Sequence, residues 1–222
     1  NAQPIDSTQK ALDVVLKKAS VHPKTQQLIQ RLLLQQFENL NMINGDALLV
    51  YLFDHYYPNA RTAGIDTATW MRIQYKAELF RPNLIGKKAP DFQLVDAKGQ
   101  MVRLNDFKAK YTLLYFFSPL CTRCREVTPD IHGLTKNYLD KGLRVLAVTT
   151  DCPDKNYWKT YVDQNLNDWT CLLESKGANS ELERLYATAQ LPNIYFLDEH
   201  KKIVLKRVPV ERLQDFLDQW VK

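Results

Sequence analysis

Apolar residues recur along this chain at two different periods, and the change falls in Arg81-Pro82-Asn83-Leu84-Ile85-Gly86-Lys87-Lys88-Ala89-Pro90. Before it the spacing is helical throughout. Ile5, Leu12, Val15, Leu16 and Ala19 predict a first helix that Pro23 closes. Leu28, Ile29, Leu32, Leu33, Phe37 and Leu40 predict a second, stopped by Asn44-Gly45. A third helix, capped by Asp46, runs through Leu48, Leu49, Leu52 and Phe53 to Pro58. Asp66 or Thr67 caps a fourth, with Trp70, Ile73, Ala77 and Phe80 on one face. The rings of Tyr51, Phe53, Tyr56, Tyr57 and Trp70 also fall at helical spacing, so packing of a small bundle is a better reading than a ligand surface.

After the basic and proline-rich stretch the pattern becomes that of strands. Phe92 with Leu94, and Val102 with Leu104, flank Asp96-Ala97-Lys98-Gly99 as a hairpin. Thr112 to Phe117 is an unbroken apolar and aromatic run, the mark of a strand covered on both faces. A helix containing Pro129 follows and ends near Gly142, then a second buried strand over Leu143 to Thr150, parallel to the first. Asp154 to Asn165 is a helix with Tyr157, Trp158, Tyr161 and Val162 on its apolar side. Trp169 to Leu173 is a strand and Glu181 to Ala187 a short helix. Asn193 to Leu197 and Ile203 to Lys206 form a second hairpin. Glu211 to Trp220 closes the chain as a helix with Leu213, Phe216, Leu217 and Trp220 inward. The expected division is an all-helical domain over 1–83 and an α/β domain over 84–222.

Composition narrows the partners. A net charge of +5 over 222 residues, with basic and acidic residues interspersed, describes a mixed-charge surface rather than a nucleic-acid face. No apolar run approaches the ~18 residues of a membrane helix. The chain opens at Asn1 without a basic-apolar leader, which reads as a processed start. Four cysteines in a chain of this length make no disulfide scaffold.

Two of those cysteines carry the candidate chemistry. Ser118-Pro119 breaks the central strand, and Cys121-Thr122-Arg123-Cys124 opens the next helix. Helix N-termini stabilise thiolates through aligned peptide dipoles and free N–H groups. Arg123 is expected to lower the first thiol's pKa further, and Cys124, one turn on, to attack a mixed disulfide formed at Cys121. A zinc site would need two more ligands at suitable spacing, and no such pair is present, so no metal is expected. Cys152 and Cys171 are a second disulfide, a relay or, preferably, buried free thiols. Glu126 is a surface residue or an acid–base partner of the pair.

From Leu84 onward this order of elements, with C-x-x-C after the third strand, resembles the thioredoxin fold, a three-layer α/β/α sandwich. More narrowly it is similar to the TlpA/ResA-like thiol–disulfide oxidoreductases of the AhpC/TSA superfamily. Leu84 to Phe92 resembles their G-x-x-A-P-D-F opening. Pro129 occupies the place of the kink proline, and Leu191-Pro192 that of the cis-proline. The resemblance implies that Leu191, Pro192, Phe117 and Leu120 form the client-binding surface around Cys121. Departures are Phe117 for a tryptophan, Arg123 for a proline, Tyr115 for a buried aspartate, and Val127 where a glutamate would stand, with Glu126 one step earlier.

The implied activity is dithiol–disulfide exchange with client proteins, in the reductive direction, without an organic cofactor. It implies an upstream thiol reductant and a periplasmic or outer-envelope lipoprotein setting, with client docking or a homodimer through the helical domain. A peroxiredoxin-type peroxidase and a non-catalytic thioredoxin-like binding module are the alternatives.

Overall fold

The computed structural model of the protein describes residues 5–38, 44–59, 64–176 and 180–222. Two compact units divide the chain, Asn1–Leu84 and Ile85–Lys222.

The first unit is a set of helices: α1 (Ile5–Ala19), α2 (Pro23–Glu38), α3 (Gly45–Tyr56) and α4 (Thr67–Phe80), followed by a 3-10 turn at Arg81–Asn83. Burial of Leu16, Leu34, Leu49, Leu52, Ile73 and Ala77 supplies its core. The apolar stripes are narrower than periodicity suggests. Val15, Leu28 and Leu32 are exposed, because α1 buries Leu12, Leu16 and Ala19 while α2 turns Gln30, Leu34 and Phe37 inward. Leu40, expected on the same face, lies outside the described residues. Asp46 does not cap α3. Asn44, in the left-handed region, precedes the helix, and Asp46 sits in its first turn, where its carboxylate accepts the Ala47 N–H at 2.9 Å. Asp66 does cap α4, accepting the Thr69 N–H at 2.9 Å. The aromatic cluster is packing. Tyr57 is buried and donates to the Gln30 carbonyl, and Tyr51 and Tyr56 both donate to Asp13 Oδ1, each at 2.6 Å, tying α3 to α1.

The second unit is a seven-stranded mixed sheet ordered β2-β1-β5-β4-β3-β6-β7. Its strands are β1 (Gln93–Asp96), β2 (Met101–Arg103), β3 (Tyr111–Phe117), β4 (Leu143–Thr149), β5 (Thr170–Leu173), β6 (Asn193–Leu197) and β7 (Ile203–Lys206). Its helices are α5 (Thr122–Lys136), α6 (Lys155–Asn165), α7 (Glu181–Tyr186) and α8 (Leu213–Trp220). β3 pairs with β4 in parallel and with β6 antiparallel, so its backbone is satisfied on both sides.

Side chains alternate across a strand, and on β3 both sets are apolar because both faces are covered. Leu113, Tyr115 and Phe117 pack with Val127 and Ile131 of α5, Trp158 and Val162 of α6, and Leu213 and Leu217 of α8. Leu114 and Phe116 face Leu182 and Tyr186 of α7 and Leu104. The result is a thioredoxin-like α/β/α sandwich after a helical N-terminal part, as the resemblance implied.

Local differences have local reasons. Leu104 opens a 3-10 turn, Leu104–Asp106, instead of ending a strand. α5 stops at Lys136, and turns carry the chain to Gly142, whose φ of +86° precedes β4. Tyr157 and Trp220, expected inward, are 42% and 40% exposed, since one buried arc per helix suffices to cover the sheet. No helix among the described residues is long and apolar enough to cross a membrane.

Candidate active site

The site begins where β3 ends. Ser118, itself buried, donates its hydroxyl to the Asp151 carbonyl at 2.6 Å and accepts the Leu120 N–H at 3.1 Å. The Cys121 N–H donates to the Ser118 carbonyl at 3.1 Å. This closed turn delivers Cys121 as the N-cap of α5, where its Sγ accepts the Cys124 N–H at 3.4 Å. Asx and hydroxyl side chains normally fill that role; here a sulfur does, which turns an unpaired helix amide on the atom that would carry thiolate charge.

Cys121 is half-buried and Cys124 fully buried one turn beneath it. Burial first, then the neighbouring Cys121, pushes the Cys124 thiol up to about 12. The Leu191 carbonyl oxygen lies 3.9 Å from Cys121 Sγ, and the Leu191–Pro192 peptide bond is cis. The structure therefore brings together residues that stand 70 positions apart in the chain. Leu120 beside them is 50% exposed.

Three expected roles change with the geometry. Phe117 has no exposed surface; its ring stacks on Tyr115 with centroids 5.3 Å apart and forms the floor, out of reach of a client. Arg123 pairs with Glu211, ahead of α8, and with Glu126 at 3.6 Å. Its charge is shared with two exposed carboxylates, so the electrostatic help it lends Cys121 is small. Glu126 is 59% exposed in that surface network and stands away from Cys124, as one step of helical rotation dictates.

Thr128 escaped the sequence reading, although its i+4 spacing from Cys124 was a signal that it shares a helix face with that residue. Its hydroxyl donates to the Cys124 carbonyl at 2.6 Å and stands 2.8 Å from the hydroxyl of Tyr115. Cys152 and Cys171 are buried free thiols directed at the carbonyls of Asp154 (3.5 Å) and Leu166 (3.8 Å). Burial pushes Cys171 up to about 12. Among the described residues no group of three or more His, Cys, Asp or Glu could hold a metal ion.

Comparison with known proteins gives the family and the fold. The model of the AhpC/TSA family matches residues 85–206. Over 138 residues the chain is 28% identical to the thiol-disulfide oxidoreductase ResA of Bacillus thuringiensis, covering 62% of this chain and 77% of that one. The thioredoxin-like protein YneN of Bacillus subtilis is 34% identical over 116 residues, covering 51% of this chain and 65% of its own. The thioredoxin domain of a thiol-disulfide oxidoreductase from Bacteroides vulgatus superposes with a TM-score of 0.56 at 31% identity, covering 63% of this chain and 99% of that domain. A thioredoxin-like protein from Bacteroides caccae shares the fold over 98% of this chain and 85% of its own, with a TM-score of 0.64 at 20% identity.

Proposed function

The chain belongs to the AhpC/TSA family, and from that membership we propose that it is a thiol–disulfide oxidoreductase exchanging the Cys121–Cys124 dithiol with disulfides of client proteins. One observation carries the reading: a half-buried Cys121 Sγ caps α5 and accepts a helix amide, above a shielded Cys124. In the reductive direction Cys121 bonds to one client sulfur and the other leaves as a thiolate. Cys124 then bonds to Cys121, and the client sulfur held on Cys121 departs with the electron pair of that bond. Two electrons pass from the dithiol to the client, with no metal or organic cofactor.

An extended client segment would lie along the main chain at Leu191 and Pro192, with Leu120 against its flank. Reduction of client disulfides is the proposed direction. A periplasmic or outer-envelope setting, an upstream thiol donor and a dimer through the helices belong to the same reading.

Cys124→Ala is expected to accumulate mixed disulfides with clients and Cys121→Ala far fewer, read on non-reducing gels. Capture by Cys124→Ala no greater than by the double variant would leave a non-catalytic binding module. The peroxidase reading is disfavoured because the Ser118 hydroxyl is committed to Asp151 and Leu120 rather than to Cys121. Peroxide consumption measures it directly.

A further inference from the structure

Before it can attack, Cys124 must lose a proton, and what surrounds it decides where that proton goes. Tyr115 of β3, Thr128 of α5 and Tyr161 of α6 line its buried side. A carbonyl only accepts, and a threonine has one hydroxyl proton. Thr128 uses its proton on the Cys124 carbonyl, so Tyr115 must donate to Thr128. The hydroxyl chain thus runs one way, from the central strand to the helix backbone, and its last proton is already committed.

The phenols do not act as bases near neutrality. Burial raises Tyr115 well above the ordinary phenol range, and burial likewise raises Tyr161. On the outer side of α5, Arg123 is paired with Glu126 and Glu211, and Arg125 donates to the Pro119 carbonyl at 3.3 Å. His132 is bound to Asp168, two turns further along the helix. At the N-cap stands Cys121, whose sulfur is the electrophile during resolution and takes no proton.

We propose that no side chain among the described residues takes the Cys124 proton, and that Tyr115 fills the floor of the site as an uncharged donor to Thr128. The proposal rests on Cys121 as nucleophile and Cys124 as resolving thiol. In resolution the Cys124–Cys121 sulfur bond forms and the Cys121–client bond breaks, its electron pair leaving on the client sulfur. The Cys124 proton passes to hydroxide or buffer base from solvent. Mixed disulfides are consequently long-lived at neutral pH and resolve faster as the medium becomes alkaline.

The test uses the reduced full chain in excess over dithiobis(nitrobenzoate), which releases a coloured thiolate twice. The first release marks attack by Cys121. The second, independent of protein concentration, marks attack by Cys124 on the mixed disulfide. Its rate should rise about tenfold per pH unit from about pH 6 to about pH 9, with no plateau, following the thiolate fraction. Tyr115→Phe should keep that slope with a rate within about threefold, since the lost hydroxyl accepts no proton from sulfur. Tyr115→Asp should introduce a plateau and speed the second release more than about tenfold near pH 6.5. A plateau below about pH 8 in the unaltered protein overturns the proposal. So does a greater than tenfold loss in Tyr115→Phe, or a folded Tyr115→Asp protein with unchanged rate and slope. If Tyr115→Asp does not fold, the first two measurements still decide. A second release that survives Cys124→Ala would instead remove Cys124 as the resolving thiol.

Discussion

Cys121 Sγ accepts the backbone N–H of Cys124 at 3.4 Å, so the two cysteines are joined through a main-chain amide before any disulfide links them. That bond directs helix polarity onto the outer sulfur and leaves the inner one buried. The two thiols should therefore differ sharply in reactivity although they stand three residues apart.

Alkylation of the reduced protein measures this difference. Iodoacetamide at mildly acidic pH is expected to modify Cys121 first, with Cys124, Cys152 and Cys171 protected by burial. Peptide mass spectrometry at short times reads the order, and equal labelling of all four cysteines would contradict it.

Ser118 is the hinge on which the presentation of Cys121 depends. Ser118→Ala would remove the donor to the Asp151 carbonyl and the acceptor of the Leu120 N–H in a part-buried turn. The expected cost is about 0.5–1.5 kcal/mol in urea unfolding, together with a several-fold loss of disulfide exchange. A variant as stable and as active as the parent would show that the turn holds without it.

Stability should fall in alkali. In the unfolded chain the Cys124 and Cys171 thiols ionise near 9.0, whereas in the folded protein they do so only near 12. Within that window the folded state keeps protons that the unfolded state has lost. Stability is thus whole below the lower value and declines as pH rises through the window, by on the order of 4 kcal/mol per thiol at its top. Urea midpoints at about pH 7 and about pH 10.5 should show the decline, and Cys171→Ala should make it shallower. An unchanged slope in that variant would assign the effect to other groups.

The division of the chain also makes a prediction. Limited proteolysis is expected to cut between Arg81 and Pro90 and to leave a C-terminal fragment that unfolds cooperatively. A fragment without a cooperative transition would mean that the helical part is needed for the core of the second unit.

The change of hydrophobic period, the buried β3 run, the C-x-x-C at a helix start and Leu191-Pro192 ahead of β6 were all legible in the sequence. Each is set by residues close together in the chain. Turn chemistry, strand alternation and helix capping act over a few positions, so the order of elements and the family likeness followed from local pattern. Burial of particular side chains did not. Gln30 went inward and Leu28 and Leu32 outward because the arc a helix buries is chosen by the elements packed on it. Arg123 found a partner in Glu211, 88 positions away, which no spacing rule connects. Tyr115 stood in the sequence only as a substitution for an acid. Tertiary packing placed its hydroxyl on Thr128, and the single proton of that threonine decided the direction of the hydrogen-bond chain beneath Cys124.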